Sequence, residues 1–325
     1  MADIKNAATQ AAPTKLSQSD LDDISREMLS IIADMNEDTP GAVNIRSNGC
    51  LACRNNTEHV TISTKTDKPG IDIRVDADSK NERVFIPVVV TEEGLIDTVY
   101  NDFFIGENAD VTIVAGCGIH NGGSHDAEHD GIHRFFCEKG SHVKYVERHY
   151  GEGEGSGSRV LNPQTEVYLE EGAFIEMEMT QIGGVSSAVR KTSGELKKDS
   201  RIVITEKLFT EGDQNVTSDV DFKMIEDGAT VRIISRSVGR GNSTQLFRPI
   251  VTGMASCRGH VQCDSIIMDN AHITSVPAID AQSTGAELVH EAAIGKIAGE
   301  AITKLMTLGL TEEEAEEQIL QDFLS

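Results

Sequence analysis

The sequence has no tryptophan, and aromatic residues make up only 4% of its 325 positions. A platform for stacking sugars or bases needs aromatic faces, so none is expected. Basic residues are also scarce, with 29 Lys and Arg against 53 Asp and Glu and a formal charge of −24. That balance argues against a surface that tracks phosphates, and hence against nucleic acid as a partner. No apolar run approaches the ~18 residues that span a bilayer, and the start lacks the basic-then-apolar order of a signal peptide. The expectation is a cytoplasmic protein with no membrane partner. Six cysteines (Cys50, Cys53, Cys117, Cys137, Cys257 and Cys263) do not make a disulfide scaffold in a chain this long and are expected as thiols. The glycine-rich run 151–157 lacks the Gly-Lys-Ser/Thr that holds a nucleotide, and its Glu152 and Glu154 would repel phosphate. It reads as a flexible loop, and no ATP hydrolysis is expected of this chain.

Several distinct segments are present. Residues 1–16 are small and polar without a period and read as a disordered arm. An N-terminal helical segment follows over 17–40, with a helix from Ser17 to about Met35. Ser17 or Ser19 can cap it, acids fill its first turn, and Leu21, Ile24, Met28, Ile31 and Ile32 share one face. From about Val43 to Ile279 the period changes to two, as at Val60 and Ile62 or Ile71, Ile73 and Val75.

A short phrase recurs within this β region: a turn residue, a small residue, any residue, then a β-branched one. It begins at Asn108, Gly140, Gly172, Asp199, Gly228 and Asn270, and the first five copies lie about 30 residues apart. Stacked repeats of ~20–45 residues have this signature, which favours a solenoid over a closed barrel, with a β-sandwich as the alternative from periodicity alone. The β core is placed at 41–285 and a C-terminal helical segment at 286–325. The latter reads as one helix from about Leu288 to Leu308, ended by Gly309, and a second opened by a Thr311–Glu314 capping box. Terminal helices of this kind would cap the open edges of a solenoid.

Thiolate, imidazole and carboxylate are the side chains that hold iron or zinc. Cys263 lies in a strand-like run on the face opposite Asp264, and His290-Glu291 follows where the pattern turns helical. A strand cysteine is ordinarily a buried small hydrophobe, and a lone histidine a satisfied structural one. Cys257, His260 and His272 are weaker candidates nearby. The segment from His120 to His133 is dense in His, Asp and Glu but lacks the spacing of a metallohydrolase. It reads as a polar turn or an accessory iron-handling surface. Cys50 and Cys53 form a CxxC in a turn with no second pair, and are taken as incidental.

Residues 262–265 (QCDS), a Pro-bearing strand, residues 290–297 (HEAAIGKI) and a closing helix pair resemble the C-terminal core of the SufB/SufD family, the scaffolds of the SUF iron–sulfur assembly system. The likeness is strongest over roughly the last 70 residues, and 99–183 resembles the short, single-gene members of the family. The resemblance implies a mainly β protein, a right-handed parallel β-helix (solenoid) flanked by N-terminal and C-terminal helices. It implies a non-enzymatic scaffold that carries a transient iron–sulfur cluster and receives sulfur from a donor. Cys263 would be the sulfur acceptor and a metal ligand, with His290 and Glu291 as further ligands near a dimer interface. It also implies a SufC-type ATPase docked on the C-terminal helical segment. Because this chain has both Cys263 and His290, a homodimer is expected to replace the family's heterodimer. The alternatives are a β-helix polysaccharide-processing enzyme and a structural adaptor without metal chemistry.

Overall fold

The computed structural model describes residues 21–35 and 39–324. The expected arm over 1–16 and the caps Ser17 and Ser19 lie outside the described residues. Helix α1 runs Asp23–Ala33, and its N-cap is Asp22, whose carboxylate accepts from the Ser25 amide at 2.7 Å. Acidic Asp23 in the first turn favours that end through the helix dipole. Met28, Leu29 and Ile32 are buried against Val43, Ile45, Phe85, Val89 and Val114. The helix lies so close to the sheet that a Cβ on Gly116 would sit 2.5 Å from the Ile32 carbonyl oxygen, so only glycine fits there.

The rest is a parallel β-solenoid of about eight turns, with helices at both ends. Successive strands alternate between two 11-stranded sheets, so each turn adds one strand to each sheet. One sheet stacks Asp110–His120, His142–Glu152, Phe174–Gly183, Arg201–Thr210, Thr230–Gly239, Arg258–Ile267 and Glu287–Gly295 in parallel register. In the other sheet proline splits two strands. Pro163 separates Arg159–Leu161 from Gln164–Leu169, and Pro277 separates His272–Ser275 from Ala278–Ala281. Proline has no N–H for the ladder, so each such turn bends there. Only the first coil departs from the parallel pattern, through the hairpins Ala42–Ser47 with Cys50–Asn55 and Val60–Thr64 with Gly70–Val75. Cys50 and Cys53 therefore lie on a paired strand rather than in a turn.

The recurring phrase has a direct physical meaning. Asn108, Gly140, Gly172, Asp199 and Gly228 all adopt φ between 53° and 79°, the left-handed region in which Gly, Asn and Asp are favoured. The small residues that follow, Ala109, Ser141, Ala173, Ser200 and Ala229, are buried at the corner, where a larger side chain would displace the next coil. The sixth copy is shifted. There the left-handed residue is Asp269, not Asn270, and the strand that follows belongs to the other sheet.

The C-terminal region differs from the sequence reading. Residues 288–295, expected as helix, form the strand Glu287–Gly295, which pairs with Arg258–Ile267 over nine positions. Ala292 and Ala293 favour helix locally, but the open edge of the sheet offers a full ladder of backbone partners, and tertiary pairing overrides propensity. Helix α2 starts only at Gly299 and runs to Met306, and helix α3 spans Glu312–Leu324. The expected capping box is formed. The Thr311 amide donates to the Glu314 carboxylate at 2.8 Å, and the Glu314 amide donates to the Thr311 hydroxyl at 3.2 Å. Ala315 and Leu320 of α3 are buried, and the Arg236 guanidinium donates to the Phe323 carbonyl at 3.3 Å, tying α3 to the solenoid.

On the outer face of the second sheet, Phe104, Phe136 and Tyr168 stack with ring centroids 5.3 and 5.4 Å apart. Spacing of 32 residues hid this row from composition, and its rings use their faces on one another.

Candidate functional site

Strand parity decides which side chains meet. In the last two coils Val261 is opposite His290, and Cys263 is opposite Ala292. Cys263 points into the solenoid and is 2% exposed. His290, half-buried on the final strand, points the same way, and its Nε2 lies 3.5 Å from the Cys263 sulfur. Glu291, one residue on, faces outward, where its carboxylate is 3.7 Å from Nε2 of His260. The three residues singled out in sequence are thus divided between the two faces of one sheet. A thiol–imidazole pair lies inside, and a carboxylate–imidazole pair outside.

Burial raises the Cys263 pKa above the ordinary thiol value, while the Ser275 hydroxyl lowers it. At rest the group is therefore a protonated, enclosed thiol, and its reactivity depends on access and on partners for the thiolate. The weaker candidates are not brought to it. Cys257 is buried just before the start of the Cys263 strand, with its thiol pKa raised by burial, and His272 is exposed on the other sheet. Ser275, which carried no motif in the sequence, is the group the structure adds. Among the described residues no three His, Cys, Asp or Glu side chains converge in a metal-binding arrangement. One chain thus offers the Cys263–His290 pair and not a closed ligand set.

A second polar cluster fills the middle of the solenoid. The residues from His120 to His133 read as a polar turn or an accessory iron-handling surface; instead of a turn, the strand Ala127–Cys137 takes up half of the segment and turns His129 and His133 inward. Nδ1 of His129 lies 3.1 Å from Asp97, and Nδ1 of His133 lies 2.8 Å from the Tyr145 hydroxyl. One turn on, Arg190 is 2% exposed and donates to Glu206 at 3.2 Å, to Glu147 at 3.1 Å and to Nδ1 of His149 at 2.9 Å. Burial pushes the Glu147 carboxyl towards neutrality, but His149 and Arg190 outweigh it and hold its pKa far below the ordinary value. Burial alone dominates at Glu206, whose pKa is raised. Two outer histidines of the segment, His120 and His125, pair with Glu152 and Glu93 at 3.1 and 3.2 Å.

Residues 92–323 match the family model for the SufBD core domain of SUF-system iron–sulfur cluster assembly. The match covers the solenoid from the strand Ile96–Ile105 onward, together with α2 and most of α3. The chain belongs to the SufBD family.

Its SufBD relatives span archaea and bacteria. The chain is 28% identical over 247 residues to an iron–sulfur cluster assembly SufBD family protein of Methanothermobacter thermautotrophicus, covering 73% of this chain and 57% of that protein. A SufBD family protein of Archaeoglobus fulgidus is 26% identical over 227 residues, covering 70% of this chain and 60% of that one. For one from Methanocaldococcus jannaschii the figures are 25% over 237 residues, 72% and 74%. The chain thus spans less than two thirds of the length of the first two of these relatives. No helix among the described residues is long and apolar enough to cross a membrane.

Proposed function

We propose that this protein is a cytoplasmic, non-enzymatic scaffold on which a nascent iron–sulfur cluster is built at Cys263. The observation that carries the reading is the 3.5 Å approach of the Cys263 sulfur and His290 Nε2 inside the last coil, a thiol and an imidazole drawn from separate strands. Thiolate sulfur and imidazole nitrogen both ligate iron in such clusters. The cluster is cargo, held transiently and passed on, with sulfur supplied by a donor protein.

The position of the pair in the fold supports a homodimer. The final strand pairs only with the Cys263 strand among the described residues, so its outer edge is unfilled. Around that end Val276, Ile279, Val289 and Ile294 are exposed by 53%, 47%, 50% and 45%. A second copy adding its own final strand would cover these side chains and bring a second Cys263–His290 pair to the seam, completing a ligand set that one chain lacks. Glu291, on the outer face, is then a ligand only if the edge rearranges when the copies join. Helices α2 and α3 offer the docking surface for a SufC-type ATPase. Leu308 between them is 77% exposed, and five glutamates crowd the start of α3.

Anaerobic reconstitution with iron, sulfide and the co-expressed ATPase tests the reading, followed by absorbance and Mössbauer spectroscopy. Wild type is expected to load a cluster, Cys263→Ala to lose it, and His290→Ala to lose most of it. Equal loading in wild type and Cys263→Ala would remove the site.

A further inference from the structure

The Ser275 hydroxyl is buried and has no hydrogen-bond partner among the described residues. Leaving a buried hydroxyl without a protein partner is costly, and such a group is open to a ligand or a change of charge nearby. Ser275 ends the strand His272–Ser275 just before Pro277, and it pairs in register with Phe247. Phe247 is buried in the core, so the side chain of Ser275 shares that inward face. The sulfur thus has the His290 imidazole at 3.5 Å on the neighbouring strand of its own sheet, and the strand that ends in Ser275 packs against the Cys263 strand from the opposite sheet. The imidazole stands within hydrogen-bonding distance of the thiol at rest, whereas the hydroxyl, though near enough to favour the thiolate, completes no hydrogen bond.

We propose that Ser275 is a positioning residue for Cys263, a donor held in reserve whose hydroxyl turns to hydrogen-bond negative charge once it appears on the sulfur. The charge arises when Cys263 accepts sulfur. Its thiolate attacks a terminal sulfur of a polysulfide, a new S–S bond forms, and the neighbouring S–S bond breaks. The chain departs one sulfur shorter and keeps its two negative charges. Cys263 is left as a persulfide anion, with the single charge of the thiolate moved to the outer sulfur. No outside oxidant is needed, because the transferred atom is already at the oxidation level of sulfane sulfur. A hydroxyl that bonds an anion is worth more than one that bonds a neutral group, so Ser275 acts on this charged form more than on the resting thiol. Weak coupling between the two groups is already present, since the hydroxyl favours the thiolate against the opposing effect of burial.

The inference rests on Cys263 as a sulfur acceptor, and its test separates the two ideas. The full-length protein is treated anaerobically with sodium polysulfide, freed of excess reagent, and given dithiothreitol, which reduces the persulfide to thiol and hydrosulfide and leaves as its cyclic disulfide. The persulfide on the Cys263 peptide is followed by mass spectrometry after alkylation. Removal of a donor to a charged sulfur is expected to shorten the persulfide lifetime about tenfold in Ser275→Ala. Ser275→Thr, which keeps the hydroxyl, should restore it. Thermal midpoints measured in parallel should be alike, because a purely structural serine would move stability and not lifetime. Equal lifetimes in wild type and Ser275→Ala overturn the role of Ser275 and leave the assembly site standing. If wild type takes up no sulfur at Cys263, the assembly site falls and this inference falls with it.

Discussion

At the scale of single residues, the clearest contrast is between Cys263 and Arg190. Cys263 was legible because alternation in residues 261–266 fixes its face and its motif has a known counterpart. Arg190 was not, since a basic residue in a strand ordinarily points to solvent. Its burial depends on Glu147, His149 and Glu206, which lie 16 to 43 positions away in sequence. Only the coil register brings them together. His133 carries a consequence for pH. Burial lowers its pKa from the ordinary 6.5 to about 4. As the pH falls from 6.5, the unfolded chain takes up this proton before the folded one, so stability drops until about pH 4 and then levels off. The shift corresponds to roughly 3 kcal/mol. His149, also lowered, adds in the same direction, whereas Glu206, raised by burial, opposes it. Subtracting a variant isolates the effect. The urea-unfolding free energies of wild type and His133→Gln should converge by about 3 kcal/mol between neutral pH and pH 4. A constant gap would mean that His133 is not held neutral.

Among the secondary-structure elements, the corner turns were the most readable feature and the last strand the least. The repeated phrase identified the corners because left-handed backbone tolerates few residue types, and a small residue must follow. Gly172 permits an unusually clean test. Its φ is 68°, and a Cβ built there would meet nothing within 4 Å, so any penalty for alanine comes from the backbone alone. Gly172→Ala is expected to cost about 1–2 kcal/mol by chemical denaturation. Gly172→Asn should cost less, because Asn108 and Asp199 occupy the same position in other coils. Equal costs for the two would break the account of the phrase. The final strand was misread because Ala292 and Ala293 suit a helix, while the signal for strand lies in its partner. In that stretch Leu288 and His290 alternate with Val289 and Glu291, a period-two cue too short to outweigh local propensity. Once the strand is recognised, the division of His290 from Glu291 follows from the pleat.

For the molecule as a whole, stacking explains why composition could exclude partners without naming one. A solenoid buries its apolar side chains coil upon coil and leaves most of its acidic residues outside, so net charge records the surface and says little about the few carboxylates in the lumen. The proposed homodimer belongs to this scale. Placing lysine at both Val289 and Ile294 should leave the fold intact, since both are half exposed at the open end, and convert a dimer to a monomer by light scattering. A wild type that is monomeric at all accessible concentrations would dismiss this seam.

The final strand has one neighbour where every inner strand of its sheet has two. In a stack held by nearest-neighbour contacts, such a strand can detach for the free energy of one interface while the remaining coils stay folded. The lid over the Cys263 thiol is therefore the strand that carries His290. Fraying of a few backbone hydrogen bonds would open a group that is nearly sealed at rest, and reclosure would return the imidazole to the sulfur. The same looseness that makes this edge the first to exchange its amide hydrogens gives the buried thiol a door.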